Sequence, residues 1–110
     1  MSAQQEMNPL ALLGGVFDPL HQGHVAVAEA ALELPGVEEV RWIPCKEPPH
    51  EKDSTHAPAE VRLAMAQLFC QEVEQFTCDD IEFERDGPSW TIDTVRALAE
   101  QYPGRPLLWL

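Results

Sequence analysis

The sequence is poor in basic residues. Of its 110 residues only 7 are Lys or Arg, against 19 Asp or Glu, which gives a formal net charge of −12. A surface this acidic repels polyanions, so the composition argues against nucleic acid and anionic membranes as partners. A nucleoside triphosphate is also a polyanion, but local positive groups at a binding site can outweigh a distant acidic surface that salt screens.

Long apolar runs and paired cysteines are also lacking. No segment approaches the roughly 20 apolar residues of a membrane span, and the first residues lack the basic start and apolar core of a signal peptide. Cys45, Cys70 and Cys78 are odd in number and show no C-x-x-C spacing. This argues against a disulfide framework or a structural zinc site and predicts a protein of the reducing cytoplasm.

The length and the apolar content are those of one folded domain. Hydrophobic residues make up 45% of the chain, an ordinary share for a globular protein. We expect residues 1–8 to be disordered and residues 9–110 to form a single domain with one modest core.

The most informative stretch is residues 14–24, which read GGVFDPLHQGH. It follows a short apolar run, Leu10 to Leu13, and precedes an Ala-rich segment, Val25 to Leu34. This order predicts a strand, a sharp turn that the glycines allow, and a helix. The helix start directs unpaired N–H groups and the positive end of its dipole at the turn, so the stretch predicts a phosphate site.

Two histidines stand in this stretch at helical spacing. His21 and His24 are three residues apart, so on the first turn of a helix they share one face. Imidazoles placed there can donate hydrogen bonds to phosphate oxygens and offset the charge that builds up in phosphoryl or nucleotidyl transfer. Zinc binding is the alternative, but zinc needs three or four ligands and would have to recruit His50 or a cysteine. Phosphate contact is the preferred interpretation.

The stretch resembles the signature G-G-x-F-D-P-x-H-x-G-H of the nucleotidylyltransferase superfamily, with H-x-G-H at residues 21–24. The resemblance implies an α/β fold with a Rossmann-like parallel sheet and flanking helices. It also implies transfer of a nucleoside monophosphate from a triphosphate, with release of pyrophosphate. By the same resemblance His21 and His24 are the catalytic residues. The implied nucleotide-binding residues are Gly14, Gly15, Val16, Phe17, Asp18 and Gly23.

Two of these residues have a structural interpretation as well. Phe17 is predicted to fill the core rather than to stack on a base, because aromatic residues beside tight turns usually pack inward. Asp18 can support the turn by bonding to nearby backbone, next to Pro19, or it can contact the substrate. The sequence leaves both roles of Asp18 open.

Strands and helices continue to alternate after this stretch, which predicts a parallel sheet built by crossover connections. The expected elements are a helix at 23–34, a strand at 39–44, a loop at 45–57, a helix at 58–72, a strand at 76–84, a helix from about 89 to 102 and a strand at 106–110.

Helical spacing and strand alternation predict which side chains are buried. The expected buried faces are Val61, Met65, Leu68 and Phe69 in the second helix, and Ile92, Val95, Leu98 and Tyr102 in the third. Arg62 is expected to be a solvated or paired residue of the second helix. The acidic residues between 79 and 84 are expected to form a solvated strand face rather than a metal cluster.

Two further motifs resemble one branch of the superfamily, the nicotinate-nucleotide adenylyltransferases. Residues 48–50 match the start of its P-P-H-K/R loop, although Glu51 follows the histidine and Lys52 comes one residue later. Arg62 and Met65 match the R-x-x-M that follows that loop.

Residues 85–94 match R-x-G-x-S-Y-T-x-D-T of the same branch, with Trp90 in place of the tyrosine. Capping of the helix by Ser89 or Thr91 is the structural alternative. The resemblance implies that the mononucleotide acceptor is held by His50, Lys52, Ser89, Trp90 and Thr91.

The branch implies transfer of AMP from ATP, accompanied by Mg²⁺, to nicotinate mononucleotide in NAD biosynthesis. Another acceptor, such as phosphopantetheine or a small phosphate ester, and a non-catalytic nucleotide-binding remnant are the alternatives. The family's later G-x-D and I-S-x-T-x-x-R segments have no counterpart in residues 9–110. We therefore expect the domain to be truncated after the fourth strand, as a fragment or a shortened paralogue. An exposed fourth strand leaves homo-oligomer formation open.

Overall fold

The computed structural model describes residues 8–48 and 57–110. In chain order the elements are β1 (Leu10–Gly15), α1 (Gln22–Leu32), β2 (Val40–Pro44), α2 (Ala59–Gln71), β3 (Phe76–Cys78), a 3₁₀ helix (Ile81–Glu84), α3 (Thr91–Gln101) and β4 (Leu107–Trp109). The predictions for residues 1–7, His50 and Lys52 lie outside the described residues. Within the described ranges no helix combines the length and the apolar character needed to cross a membrane.

The four strands form one parallel sheet in the order β3-β2-β1-β4. The predicted α/β fold is confirmed. β1 lies between two strands, and Leu10, Ala11 and Leu12 are fully buried, as expected for an apolar run covered on both faces. Because parallel strands end at the same edge, the segments that follow β1 and β2 meet there, and this is where open α/β sheets bind ligands.

Side chains alternate across the sheet and build two apolar layers. Ala11 and Leu13 of β1 face the layer formed with α1 and α2, whereas Leu10 and Leu12 face the layer formed with the 3₁₀ helix and α3. The first layer is the larger, and it is closed by the post-β1 turn through Phe17, which is only 2% exposed. The prediction that Phe17 fills the core is therefore confirmed.

The buried faces of the two later helices differ from those predicted. In α2 the buried residues are Arg62, Ala66 and Cys70, while Val61 and Leu68 are 47% and 64% exposed. In α3 the buried residues are Thr94 and Leu98, and Ile92 is 56% exposed. Leu98 is buried as predicted, and Phe69 and Tyr102 pack against the core. The polar residues Arg62 and Thr94 are buried in addition, and each has hydrogen-bond partners there.

The predicted strand at 76–84 was too long. β3 ends at Cys78, and Asp79 then accepts a hydrogen bond from the Ile81 N–H at 3.0 Å. This side-chain bond turns the backbone out of the strand and into the 3₁₀ helix. The acidic segment is therefore no solvated strand face: Glu82 is only 5% exposed.

Candidate active site

The start of α1 is capped by a reciprocal pair of histidines. His21 is the N-cap residue, and its Nδ1 accepts a hydrogen bond from the Gly23 N–H at 3.0 Å. The His24 Nδ1 in turn accepts from the His21 N–H at 3.0 Å. The two rings lie close together, with centroids 3.9 Å apart and planes inclined by 34°. Thus both imidazoles are anchored to backbone at the positive end of the helix.

These bonds determine which nitrogen of each ring carries the proton. A ring nitrogen that accepts a hydrogen bond carries no proton, so Nδ1 is unprotonated in both rings. The neutral form of each imidazole therefore carries its proton on Nε2. His21 and His24 consequently each retain one N–H donor that is not used by the cap. This arrangement suits contact with phosphate oxygens better than ligation of a metal through Nε2.

Gly23 is the residue that lets the His21 ring fold back onto the helix. A Cβ built at Gly23 would lie 2.8 Å from Cε1 and 3.0 Å from Nδ1 of His21, closer than real Cβ contacts allow. Any side chain there would displace the ring that makes the cap. In this chain a steric constraint thus explains why the third position of H-x-G-H is glycine.

The pKa of His24 lies below its ordinary value of 6.5, first because burial disfavours the charged form and then because His21 is adjacent. The folded protein therefore binds fewer protons here than the unfolded chain does. We expect the free energy of unfolding to fall as pH drops through about 6.5 toward the lowered pKa. Urea unfolding between about pH 8 and about pH 5.5 measures this. His24→Ala should reduce the pH dependence, and equal slopes in both proteins would contradict the assignment.

The glycine turn, residues 14–20, joins β1 to α1 along the carboxyl edge of the sheet. At Gly14 a Cβ would lie 2.5 Å from the indole of Trp109, so only glycine admits this contact. Phe17 has a left-handed backbone with φ of 54° and packs on His24 at 5.0 Å between ring centroids. Its side chain is part of the core.

Asp18 makes a tertiary hydrogen bond, whereas the structural role expected from the sequence was bonding within the local turn. Its Oδ1 accepts a hydrogen bond at 3.2 Å from the N–H of Ala57, which precedes α2. The carboxylate thus ties the glycine turn to the end of the loop that follows β2. This is the structural role that the sequence left open, extended from a local to a tertiary contact.

A cavity of about 260 Å³ opens at the carboxyl edge of the sheet. It is lined by both sides of the predicted site: Gly14, Gly15, Val16, Cys45, Glu82, Ser89, Thr91 and Trp109. The structure therefore brings three of the predicted nucleotide-binding residues together with two of the predicted acceptor-binding residues. Trp90 lies beside them as the N-cap residue of α3 and is 46% exposed.

Neither hydroxyl at the start of α3 caps the helix through its side chain, so that structural alternative was wrong. Ser89 is 7% exposed, and its Oγ accepts instead from the Glu47 N–H at 3.4 Å. The Ser89 N–H donates to the Glu47 carbonyl at 2.8 Å. Ser89 is thus joined to the loop after β2, which leads toward residues 49–56.

Beneath the cavity lies a buried polar network that sequence reasoning missed. The Thr94 hydroxyl donates to Glu82 Oε2 at 2.7 Å and accepts from Arg85 Nη2 at 2.6 Å. Burial and the nearby Glu82 carboxylate raise the pKa of the Cys45 thiol to about 11, so this thiol stays protonated at neutral pH. The only sequence signal for the network is the co-occurrence of Arg85 and Thr94 in the second motif.

A larger cavity, of about 440 Å³, opens at the opposite edge of the sheet. It is lined by Asn8, Glu38, Glu39, Glu74, Gln75, Thr77 and Arg105. Three carboxylates against one guanidinium make this a poor site for a triphosphate. The described residues contain no group of three or more His, Cys, Asp or Glu able to hold a metal ion. The chemistry therefore concentrates at the carboxyl edge, around the glycine turn.

Comparison with known proteins agrees with this geometry. The model of the cytidylyltransferase-like family matches residues 12–108. Probable nicotinate-nucleotide adenylyltransferases of Symbiobacterium thermophilum and Aeromonas salmonicida are 47% and 46% identical, over 88% and 93% of this chain and 47% of each relative. The chain thus spans about half the length of the curated relatives that it matches.

A solved structure shares the fold at lower sequence identity. Plasmodium falciparum nicotinic acid mononucleotide adenylyltransferase, complexed with NaAD, superposes with a TM-score of 0.75 at 18% identity. The match covers 93% of this chain and 50% of the other. At this identity the match supports the fold of the chain alone.

Proposed function

We propose that this chain, which belongs to the cytidylyltransferase-like family, forms the catalytic N-terminal part of a nicotinate-nucleotide adenylyltransferase. The reaction transfers AMP from ATP to nicotinate mononucleotide and yields nicotinate adenine dinucleotide and pyrophosphate, a step of NAD biosynthesis. The observation that carries the proposal is the pair of backbone-anchored imidazoles, His21 and His24, at the helix start beside the glycine turn. The names of the relatives support the choice of substrates.

The proposed mechanism is a direct in-line displacement. A phosphate oxygen of the mononucleotide attacks the α-phosphorus of ATP, a new P–O bond forms, and the bond to the pyrophosphate leaving group breaks. His21 and His24 donate from Nε2 to phosphate oxygens on which charge builds up. The backbone of Gly14, Gly15, Val16, Phe17, Asp18 and Gly23 is proposed to border the ATP phosphates. No covalent intermediate with the protein is required.

Mg²⁺ is proposed to enter with ATP as part of the substrate, because phosphate oxygens are the ligands that this ion prefers. Among the described residues no group of three or more His, Cys, Asp or Glu could hold a metal ion. All three cysteines are free, which supports the proposed cytoplasmic location. A homo-oligomer stays an untested prediction.

The acceptor is proposed to bind against the start of α3. Ser89 and Thr91 line the cavity at the carboxyl edge, and Trp90 presents an exposed aromatic face between them in sequence. His50 and Lys52 are proposed to approach the mononucleotide from the loop after β2. The Glu47–Ser89 hydrogen bonds support this arrangement, because they join that loop to α3.

Replacing Trp90 by alanine should weaken acceptor binding selectively. An aromatic contact is worth about 0.5–1.5 kcal/mol beyond its area, so we expect KM for the mononucleotide to rise about 2- to 10-fold while KM for ATP is unchanged. Steady-state kinetics with each substrate varied in turn measures this. Ile92→Ala, at the neighbouring exposed position on α3, is the control and should leave both KM values unchanged. An unaltered mononucleotide KM in Trp90→Ala would remove Trp90 from the site.

The function itself is tested by pyrophosphate release from the full-length protein with ATP. Nicotinate mononucleotide, nicotinamide mononucleotide and phosphopantetheine serve as acceptors in parallel. Fastest release with the nicotinate form would support the proposal. Fastest release with phosphopantetheine would reassign the acceptor, and binding of ATP without release in any arm would favour a non-catalytic nucleotide-binding protein.

A further inference from the structure

Arg62 is a buried cation bonded to two residues that line the candidate site, Val16 and Cys45. It lies in the first turn of α2 and is only 2% exposed. Its side chain makes four hydrogen bonds, all to backbone carbonyl oxygens. Burial of a charged side chain is costly unless hydrogen bonds compensate for the lost hydration, and here the four carbonyl oxygens provide them.

The four carbonyls belong to three separate segments. Arg62 Nη1 donates to the Val16 carbonyl of the glycine turn at 2.9 Å and to the Cys45 carbonyl after β2 at 2.6 Å. Nη2 donates to the Lys46 carbonyl at 3.0 Å, and Nε to the Ala57 carbonyl at 3.1 Å. One planar group therefore holds the segment after β1, the segment after β2 and the entry to α2 at set separations.

The contacts continue from this hub to the acceptor side. Lys46, whose carbonyl Arg62 binds, donates from Nζ to the Arg85 carbonyl at 3.1 Å. The next residue, Glu47, is joined to Ser89 by two hydrogen bonds. Displacement of the segment after β2 would thus move the start of α3 relative to the glycine turn.

Only arginine suits this position. Its guanidinium presents five N–H donors in a rigid plane, which can satisfy carbonyls on several sides at once. Lysine would place one ammonium there and keep the charge, but its three donors cannot reproduce the fork. The four bonds go to carbonyl oxygens and not to carboxylates, so they leave the positive charge in place near the phosphate-binding turn.

We propose that Arg62 is a positioning residue: its guanidinium sets the glycine turn against the segment after β2, and thereby the distance between the two substrates. The kinetic consequence rests on the proposed function, whereas the structural consequence does not. An arginine that merely anchors α2 to the sheet would stabilise the fold without setting this distance.

Arg62→Lys separates the two roles. Because a misplacement of about 1 Å can cost about 10²-fold in rate, we expect kcat to fall about 10- to 10²-fold while both KM values change less than about threefold. Rates are taken well below the melting temperature and normalised to the folded fraction. Arg96→Lys, on the exposed face of α3, is the matched control and should change neither kcat nor KM.

Amide hydrogen exchange in the same variants reports the positions of the loops without any turnover. Two N–H groups are diagnostic: that of Cys45, bonded to the Gly15 carbonyl at 2.8 Å, and that of Ser89, bonded to the Glu47 carbonyl at 2.8 Å. In Arg62→Lys they should exchange faster than in the parent, while amides of the β1–β2 ladder keep their rates. A uniform acceleration of all slow amides, or no change at Cys45 and Ser89, would overturn the proposal.

Side-chain exchange in the unaltered protein decides the question if Arg62→Lys does not fold. The Nη and Nε protons of Arg62 that bond the four carbonyls should exchange much more slowly than those of the exposed Arg96, because these bonds lie in the interior. Equal rates would overturn the proposal. If the unaltered protein releases no pyrophosphate, the proposed function fails, and the two exchange experiments still decide whether Arg62 holds these segments together.

Discussion

Replacing His21 or His24 by alanine is expected to lower kcat of the full-length protein by about 10²- to 10³-fold for each residue. Each imidazole contributes one preorganised Nε2–H donor, because its Nδ1 is occupied by a backbone N–H. The loss is largest in the transition state, where charge on the transferred phosphate is greatest. Pyrophosphate release under saturating substrate measures the effect.

Alanine at position 21 also removes the helix cap, so a second variant is needed to separate the two effects. Asparagine is a favoured N-cap residue and can accept from the Gly23 N–H in place of Nδ1. We expect His21→Ala to lose about 1 kcal/mol of stability together with turnover. His21→Asn should keep the stability and lose the turnover.

Two results with the histidine variants would contradict the catalytic roles. Near-normal turnover in His21→Asn would mean that His21 acts only as a cap. Near-normal turnover in both His21→Ala and His24→Ala would contradict the catalytic assignment altogether.

The second large effect is expected at Trp42, and it concerns stability. Trp42 is fully buried in β2 and contacts Phe17, Phe69 and Phe76 with centroid distances of 5.5, 5.4 and 5.2 Å. Trp42→Ala would open a large cavity in the layer under α1 and α2. We expect the free energy of unfolding to fall by about 3–5 kcal/mol, measured by urea denaturation.

Two other tryptophan variants test the reason for that loss. Trp90→Ala removes the same atoms from a side chain that is 46% exposed and should cost much less. Trp42→Phe keeps an aromatic ring and removes an indole N–H that has no hydrogen-bond partner among the described residues. It should therefore cost less than Trp42→Ala. Equal losses in Trp42→Ala and Trp90→Ala would show that burial of Trp42 is not the cause.

Much of the fold follows from local features of the sequence. The apolar run before Gly14, the glycines and the Ala-rich segment after His24 predicted β1, the turn and α1, and all three lie where expected. Each of these elements depends on interactions within a few residues, so the hydrophobic periodicity and the turn-forming residues are enough to predict it. The parallel sheet followed from the alternation of such units.

The sequence by itself also predicted that the glycine turn and the start of α3 belong to one site. The glycine turn and Ser89, far apart in the chain, line one cavity. The turn follows β1, and Ser89 is hydrogen-bonded to Glu47 in the segment after the neighbouring strand β2. His50 and Lys52 lie outside the described residues, and their roles stay predictions.

Only the tertiary structure decided how polar groups are paired in the interior. Arg62 was expected to be a solvated or paired helix residue, Glu82 to lie on a solvated strand face, and Thr94 only matched a motif, yet all three are buried. Their partners include groups 12 to 46 residues away in the chain, which no local pattern reports. A buried polar side chain is stable only when those distant groups arrive together, so its position is a property of the assembled fold.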